Sequence, residues 1–358
     1  MDFLNSYKGK KVLVTGHTGF KGTWLSIWLK MIGADVIGFS LDPDHKNGIF
    51  EASKISDQII DHRGNICDLN ELKKVFEKEK PEVVFHLAAQ ALVIKSYNDP
   101  VSTFETNVMG TVNVLEAIKQ TPSVKSAVII TTDKCYENKE TLKGYTEDEP
   151  MGGHDPYSAS KGAAELIISS YRRSFFSGDT DCNIASARAG NVIGGGDWSD
   201  NRLVPDIIRA IANNKNIELR NPGSIRPWQH VLEPLSGYLK LGSELIQNKR
   251  AFSEGWNFGP NIDEVYPVQL VVEKIIENFE KGKWVDISKP GQLHEANLLM
   301  LDITKAVNKL KWKPVLSFDQ CVKLTTDWYK AAAHENVLEL TQLQIKFYEQ
   351  QWKLKNAN

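Results

Sequence analysis

The sequence contains few cysteines and no long apolar run. Its four cysteines are scattered singly along 358 residues, which is too sparse for a disulfide scaffold and lacks the CxxC or Cys/His spacing of a zinc site. No stretch approaches the ~18 continuous apolar residues that a membrane helix needs, and the first residues lack the basic and apolar segments of an export signal. We therefore expect a cytoplasmic protein with no metal site and no membrane partner.

The sequence also lacks an excess of either charge. Its 43 lysines and arginines are balanced by 45 aspartates and glutamates, which gives a formal net charge of -2. Because nucleic-acid phosphates are bound by a basic surface, this balance argues against a nucleic-acid partner. The 41% of hydrophobic residues, in a chain of this length, is enough to form a large buried core.

Short apolar runs alternate with helix-like segments through the first half of the chain. The apolar runs, rich in β-branched residues, are 11–15, 35–42, 82–87 and 127–131. Apolar residues recur at helical spacing over 23–32, 70–79, 101–119, 157–170, 203–213, 267–280 and 336–354. This alternation predicts an α/β fold with a Rossmann-type doubly wound parallel sheet, whose strands are covered on both faces.

The pattern becomes irregular near residue 190. From there on, loops containing glycine or proline, such as 194–196 and 221–223, separate the helix-like segments. We expect a first domain over 1–190, with segments that return to it near 228–265. A smaller, loop-rich substrate domain is expected over 191–358.

A glycine-rich loop lies between the first predicted strand and the first predicted helix. Its glycines are Gly16, Gly19 and Gly22. Glycines allow a tight turn and the close approach of a pyrophosphate, which the free amides at a helix N-terminus then bind. The loop therefore predicts a dinucleotide site that includes the whole segment, namely Gly16, His17, Thr18, Gly19, Phe20, Lys21 and Gly22.

Two aspartates are candidates for binding the adenosine part of this dinucleotide. Asp42 ends the second predicted strand, where a carboxylate can bind a ribose and repel a 2′-phosphate, which favours NAD over NADP. A solvated turn is the alternative role for Asp42, and the nearby Asp44 is a competitor. Asp68 closes a strand-like segment at 64–69 and is expected either to contact the adenine or to cap a helix.

The pair Tyr157 and Lys161 forms a YxxxK motif on a predicted helix. Residues four apart share one helix face, so the ammonium group can favour the phenolate, lower the pKa of Tyr157 toward neutrality and make it a base for a substrate hydroxyl. Such pairs occur often by chance, but the upstream glycine loop favours a catalytic role. A catalytic thiol at Cys135 is an alternative that lacks a partner histidine in a recognisable signature.

These motifs resemble those of extended short-chain dehydrogenase/reductases in the nucleotide-sugar dehydratase and epimerase branch. The matching segments, in the family's order, are GHTGFKG at 16–22, HLAAQ at 86–90, TTDKCY at 131–136, the Tyr157/Lys161 pair and RAGNVI at 188–193. The resemblance implies that Leu87, Ala88 and Ala89 line the path of an NAD cofactor. It also implies a homodimer or higher homo-oligomer, formed through helices near 101–119 and 157–176.

The segment Thr132, Asp133 and Lys134 favours dehydration over epimerisation within this branch. The family's sugar 4,6-dehydratases have Thr-Asp-Glu here, whose Asp protonates the departing 6-hydroxyl while the Glu removes the C5 proton. The resemblance implies that Thr132 binds the 4-oxygen and Asp133 is the acid. A lysine near its reference pKa of about 10.4 is protonated, so Lys134 either becomes a base through its surroundings or stabilises an enolate.

Further segments are similar to dehydratases that act on a CDP-linked glucose. They are GHTGFKGTW at 16–24, SLDP at 40–43, GGGDW at 194–198 and RPWQH at 226–230. The resemblance implies the substrate CDP-glucose, the product CDP-4-keto-6-deoxy-glucose, and a role in making deoxysugars such as those of O-antigens. The alternatives are a 4-epimerase or a dehydratase of a dTDP-, UDP- or GDP-sugar, and a non-catalytic NAD-binding regulator.

The expected substrate contacts lie mainly in the second half of the chain. The resemblance places Asn191 and Arg226 on the sugar nucleotide. Guanidinium groups suit a diphosphate, which makes Arg202 and Arg220 candidates and leaves Arg188 as a further arginine of the same group. The remaining candidates are Gln90 and Lys95 beside the hexose, and His230 as a phosphate or base contact or else a packed side chain.

Overall fold

The structure is a computed structural model that describes residues 1–141, 143–178, 181–247, 249–289 and 298–356. Its strands, in chain order, are β1 (Lys11–Thr15), β2 (Asp35–Ser40), β3 (Ile60–Arg63), β4 (Val83–His86), β5 (Ser126–Ile130), β6 (Asn183–Ala189), β7 (Val192–Ile193), β8 (Ile217–Leu219), β9 (Ile225–Arg226), β10 (Gln229–His230), β11 (Gly255–Phe258), β12 (Tyr266–Pro267) and β13 (Trp284–Asp286). Seven of them form one parallel sheet in the order β11-β6-β5-β4-β1-β2-β3. This sheet confirms the predicted parallel α/β fold.

Helices cover both faces of the sheet. They are α1 (Phe20–Met31), α2 (Ile49–Ser53), α3 (Leu69–Glu79), α4 (Val93–Asn98), α5 (Pro100–Phe104), α6 (Gly110–Lys119), α7 (Pro156–Phe175), α8 (Leu203–Ala212), α9 (Leu232–Ile246), α10 (Val268–Phe279), α11 (Thr304–Asn308), α12 (Phe318–Ala331) and α13 (Val337–Asn356). Along β1, Val12 and Val14 face one buried cluster and Leu13 faces the other. Burial on both faces explains why the strands are apolar without alternation.

Three local features differ from the pattern. The strand expected at 64–69 is wrong, because β3 ends at Arg63 and the segment after it is a turn that leads into α3. The helix expected at 101–119 contains a π-helical turn, Glu105–Met109, between α5 and α6. Strands β6 and β11 were not predicted because polar residues such as Ser186 and Asn257 interrupt their apolar runs, although both side chains are buried.

The chain beyond β6 forms small sheets and also returns to the large one. The two-stranded sheets pair β7 with β10, β8 with β13 and β9 with β12. Strand β11 forms an edge of the seven-stranded sheet, and α9 packs against β5 and β6. In the described part of the chain, no helix combines the length and the apolar character needed to cross a membrane.

A buried carboxyl group connects α9 with the C-terminal part of the chain. Glu233 accepts hydrogen bonds from the backbone N–H groups of Val315 and Leu316 at 2.9 and 2.7 Å, and from the Tyr348 hydroxyl at 2.7 Å. Burial raises the pKa of Glu233 to about 7, although these hydrogen bonds oppose the shift. A carboxyl group in this state is protonated at mildly acidic pH.

We expect Glu233→Gln to reduce the loss of stability between pH 5 and pH 8. Because the pKa of Glu233 rises from a reference of 4.5 to about 7 on folding, the folded state keeps a proton that the unfolded state has lost. Stability then falls as the pH rises through this window, by about 3 kcal/mol at 1.36 kcal/mol per pKa unit. Urea unfolding at both pH values measures the effect, and an equal loss in the variant and the wild type contradicts it.

Candidate active site

A cleft of about 1650 Å³ runs along the carboxyl ends of the parallel strands. Open α/β sheets bind their ligands at this edge. The predicted site residues that line it are Gly16, Thr18, Gly19, Phe20, Lys21, Gly22, Asp42, Leu87, Ala88, Ala89, Gln90, Lys95, Thr132, Lys134, Tyr157, Lys161, Asn191, Arg202, Arg220 and Arg226. Residues far apart in sequence therefore share one cavity.

The glycine loop packs too closely for any larger residue at two positions. A Cβ atom on Gly16, whose φ is +74°, would lie 2.6 Å from the backbone nitrogen of Ala88, and one on Gly22 would lie 2.1 Å from the carbonyl oxygen of Gly16. Helix α1 begins immediately afterwards at Phe20, and its first amides have no intrahelical acceptor. This cradle fits the pyrophosphate of a dinucleotide.

His17 does not contribute its side chain to the cleft, contrary to expectation. The imidazole is fully buried, and its Nε2 lies 2.8 Å from Oδ1 of Asp61. A Cβ on Gly38 would lie 2.3 Å from its Cδ2 atom, which shows how tightly the ring packs against β2. The His17 side chain therefore joins the loop to the sheet.

The two adenosine candidates differ in position. The Asp42 side chain is 89% exposed, lines the cleft with Asp44, and lies 3.8 Å from Nη1 of Arg63. Both aspartates thus remain candidates for the ribose. Asp68 instead caps α3, because its Oδ1 accepts hydrogen bonds from the backbone N–H groups of Asn70 and Glu71. The structure therefore shows the capping role of Asp68, whose side chain does not line the cleft, and the adenine contact stays a prediction.

Tyr157 and Lys161 lie on the first turns of α7 and face the end of β5. Burial raises the pKa of Tyr157 to about 12, while a hydrogen bond with Thr132 and the charge of Arg202 oppose the rise. The expected lowering of this pKa is therefore not present in the protein alone. The ammonium of Lys161 donates to the carbonyl oxygen of Ile130 at 3.4 Å, and burial lowers its pKa to about 8.

Asp133 is fully buried directly behind the cleft wall. Its Oδ1 accepts hydrogen bonds from the Thr132 hydroxyl at 2.8 Å and from the Lys134 ammonium at 3.4 Å. Its Oδ2 accepts one from Nδ2 of Asn191 at 3.4 Å. A Cβ on Gly190 would lie 1.9 Å from the same Oδ2 atom. The carboxylate itself does not line the cleft, but its hydrogen-bond partners Thr132, Lys134 and Asn191 do.

The second half of the chain brings four arginines to the cleft, namely the predicted Arg202, Arg220 and Arg226 and, in addition, Arg209. Arg202 directly precedes α8 and pairs with Asp197 at 2.8 Å. Arg220 directly follows β8, and Arg226 is the last residue of β9. Lys95 lines the cleft from α4. The side-chain amide nitrogen of Gln90 donates to the carbonyl oxygen of Leu92 and to the hydroxyl of Thr103 on α5. Its oxygen accepts from the Leu92 N–H, so only part of the amide is free to contact a ligand.

Three other candidates lie outside the cleft. His230 is fully buried against Trp24, and burial lowers its pKa to about 3, so it is a packed side chain and not a phosphate contact. Arg188 pairs with the buried Glu165 at 2.8 Å and does not face a diphosphate. Cys135 is fully buried, and burial raises its thiol pKa well above the usual value, which argues against a nucleophile.

Comparisons with known proteins agree with this geometry. A sequence model described as GDP-mannose 4,6 dehydratase matches residues 13–325. The chain belongs to this family. It is 48% identical to CDP-glucose 4,6-dehydratase of Salmonella typhimurium over 332 residues, which cover 91% of this chain and 92% of that protein. The predicted resemblance to nucleotide-sugar dehydratases and epimerases is thereby confirmed.

Solved structures of related folds also superpose on the chain. The dTDP-glucose 4,6-dehydratase of Bacillus anthracis, in complex with NAD, gives a TM-score of 0.74 at 23% identity and covers 90% of this chain and 97% of its own. The UDP-glucose 4-epimerase of Thermus thermophilus, also with NAD, gives 0.74 at 25% identity over 90% of this chain and 99% of its own. Dehydratases and epimerases of this family therefore share the fold described above.

Several residues at or beside the cleft were not named from the sequence, among them Asn65, Ile66 and the supporting Asn107. Asn65 and Ile66 line the cleft after β3, in the segment that the pattern assigned to a strand. Asn107, in the π-helical turn, donates to the carbonyl oxygen of Gln90 and to the Ser160 hydroxyl at 2.9 Å each. Gly64 directly before Asn65 was the available signal of a turn, whereas nothing in a single sequence indicates a π-helical turn.

Gly190→Ala should strongly reduce the activity of this dehydratase-family protein while leaving it folded. The added methyl group overlaps the Asp133 carboxylate, and a displacement of about 1 Å at a catalytic group costs roughly 100-fold in rate. Gly178→Ala is the matched control, because its Cβ would meet no atom within 4 Å. Steady-state turnover and circular dichroism measure the two effects, and an active Gly190→Ala variant would exclude the assigned position of Asp133.

Proposed function

We propose that the protein is an NAD-dependent CDP-glucose 4,6-dehydratase, which converts CDP-glucose into CDP-4-keto-6-deoxy-glucose and water. The observation that carries this proposal is that Thr132, Lys134 and Tyr157 line one cleft, with Asp133 directly behind its wall and bonded to Thr132 and Lys134. An acid next to a phenol is needed for dehydration, whereas a binding protein needs neither. The similarity to the Salmonella enzyme supports CDP-glucose as the substrate. The product class is a precursor of deoxysugars such as those of O-antigens.

NAD is the cofactor that fits the first half of the cleft. The Gly16 to Gly22 cradle suits a pyrophosphate, and Asp42 or Asp44 suits an adenosine ribose without a 2′-phosphate. The NAD seen in the related solved structures supports this assignment. When bound, NAD supplies a positively charged nicotinamide ring that takes a hydride from the glucose C4 and returns it at C6.

Oxidation at C4 is assigned to Tyr157, Thr132 and Lys161. Tyr157 takes the proton of the 4-hydroxyl, and the Thr132 hydroxyl, which already bonds Tyr157, holds the 4-oxygen. The pKa of Tyr157, which burial raises to about 12, must fall for this step. A positive charge nearby produces such a fall, and the ammonium of Lys161 is held one helical turn away.

Water loss is assigned to Asp133 and Lys134. A 4-keto group makes the C5 proton acidic, and Asp133 is the acid for the departing 6-hydroxyl. Lys134, which lines the cleft and contacts Oδ1 of Asp133, either removes the C5 proton or stabilises the enolate. Because C4 is oxidised and C6 is reduced in one turnover, the reaction consumes no cofactor.

The second half of the chain is assigned to the nucleotide sugar. Arg202, Arg220 and Arg226 supply the positive charge that a diphosphate needs, and Asn191 lies beside Asp133 at the sugar end. Lys95 and the backbone around Gln90 are placed for the hexose. We assign cofactor binding to residues 1–190 with returning segments near 228–265, and substrate binding to 191–358. The unpaired cysteines support work in a reducing cytoplasm.

The purified protein should release one water from CDP-glucose and not from dTDP-, UDP- or GDP-glucose when NAD is supplied. Tyr157→Phe should abolish the reduction of the cofactor. Asp133→Asn should allow that reduction but slow water loss by about 100-fold or more. Product mass and the absorbance of the reduced cofactor separate the two steps.

Asp181→Asn is the control for these variants, because its side chain is 79% exposed and pairs with the surface residue Lys125. Conversion without a change of mass would identify an epimerase. Binding of NAD without any reaction would identify a regulator. Equal loss of cofactor reduction in Tyr157→Phe and Asp133→Asn would refute the division of roles.

We also propose that the protein forms a homodimer through α5, α6 and α7. Large apolar side chains stay exposed on α5, on the π-helical turn that leads into α6, and on α7, at Val101, Phe104, Met109, Leu166 and Phe175. Their exposed fractions range from 40% to 76%. An apolar face of this kind is typical of a surface that another subunit covers.

Leu166→Glu should convert the dimer to a monomer, because a charge at the centre of an apolar interface loses its hydration. Leu354→Glu is a matched control, since Leu354 is 68% exposed compared with 62% for Leu166 but lies on α13. Sedimentation velocity measures the outcome. A wild type that is already monomeric, or a Leu166→Glu variant that stays dimeric, contradicts the interface.

A further inference from the structure

One face of α7 holds the end of β5 through three residues spaced four apart. Tyr157 bonds the side chain of Thr132, the Lys161 ammonium donates to the carbonyl oxygen of Ile130, and Glu165 accepts a hydrogen bond from the hydroxyl of Thr131. Residues four apart lie on the same helix face. The helix therefore meets three consecutive residues of the strand end, and only the first two contacts belong to the YxxxK motif.

Glu165 lies beneath the active site and is almost completely buried. Besides Thr131, its donors are the Ser186 hydroxyl at 2.7 Å and Nη2 of Arg188 at 2.8 Å. These bonds and the charge of Arg188 hold the pKa of Glu165 below its usual value although burial acts in the opposite direction. The group is therefore a carboxylate inside the protein.

The ion pair of Glu165 and Arg188 also contacts Tyr136, which follows the turn that carries Asp133 and Lys134. Nη1 of Arg188 donates to the Tyr136 hydroxyl at 2.6 Å and to the carbonyl oxygen of Glu147 at 3.1 Å. The Tyr136 hydroxyl in turn donates to Oδ1 of Asn257 on β11 at 2.8 Å. The turn with Asp133 and Lys134 is therefore anchored at Thr131 before it and at Tyr136 after it.

Glu165 also affects Lys161 by charge. The two residues do not form a contact ion pair, but the carboxylate is the main charge that opposes the effect of burial on the Lys161 ammonium. In the cleft, Lys21 and Lys161 repel each other. Behind it, burial and then the charge of Lys161 lower the pKa of His86 to about 3, so His86 adds no positive charge there.

We propose that Glu165 is a positioning residue of the reaction, which keeps Lys161 positively charged and, with Arg188, holds the turn that carries Asp133. The role in turnover rests on the proposed dehydratase function. The effect on Lys161 does not, because it is a property of the protein without substrate. Glu165 touches neither substrate nor cofactor and acts only through Lys161 and the turn.

The test compares single and paired substitutions. Glu165→Gln alone leaves the guanidinium of Arg188 buried without a counter-charge, and this variant can fail to fold. Glu165→Gln combined with Arg188→Met removes both charges, and such neutral replacements of buried ion pairs are often tolerated. Glu165→Asp keeps the charge. Glu233→Gln is the matched control, since it neutralises another buried carboxyl group that does not line the cleft.

The first readout is the titration of Lys161 by nuclear magnetic resonance in protein with isotope-labelled lysine, assigned with Lys161→Met. The pKa of Lys161 should be about 8 in the wild type. It should fall by up to about one unit in the double variant, because the charge of Glu165 acts on Lys161 whereas that of Arg188 is not among the causes of its shift. Glu165→Asp and Glu233→Gln should leave it close to the wild-type value.

The second readout is the pH dependence of cofactor reduction with CDP-glucose. The pH above which the rate declines should move down with the Lys161 titration, so that a fall of one pKa unit lowers the rate at pH 8 by about fivefold in the double variant. A folded double variant with an unchanged Lys161 titration overturns the proposal. An altered titration in a protein that does not dehydrate CDP-glucose would leave this inference in place and refute the proposed function.

Discussion

The packing of α7 against the carboxyl end of β5 is the contact on which the site depends. Strand β5 lies between β4 and β6 in the sheet, so its last residues have a fixed position at the carboxyl edge of the sheet. Helix α7 begins at Pro156, with Asp155 as its N-cap. This fixed start sets the direction in which Tyr157 and Lys161 point. Catalytic geometry in this protein is therefore a consequence of how one helix starts.

The second constraint is that residues from both halves of the chain surround Asp133. Asp133 belongs to the turn after β5, yet Gly190 and Asn191, after β6, close the space around its carboxylate. Asn191 adopts a left-handed backbone conformation with φ of 48°, which asparagine tolerates better than most residues. Gly190 and Asn191 therefore set both the direction in which the chain leaves β6 and the position of the Asp133 carboxylate.

Much of the fold and part of the site could be predicted from the sequence, because they depend on local patterns. The glycine loop and the Tyr157/Lys161 pair lie on neighbouring residues and keep their spacing in the fold. His17, Arg188 and His230 could not be placed, since whether a polar side chain faces a cleft or the core depends on packing between distant elements. Asp68 shows the same limit, because a helix cap and an adenine contact have the same short sequence signal.

The distribution of charge explains why the site suits anionic ligands. Arg202, Lys161 and Lys134 all repel the ammonium of Lys21, and Asp133 is the carboxylate that opposes their effect on its pKa. Burial and the neighbouring cations lower the pKa of Lys21 to about 7, and burial lowers that of Lys161 to about 8. Ammonium groups this close together are costly to keep charged in the protein alone. A pyrophosphate or diphosphate in the cleft offsets that cost. Relief of the repulsion among the cations therefore contributes to the affinity for the dinucleotide and for the nucleotide sugar.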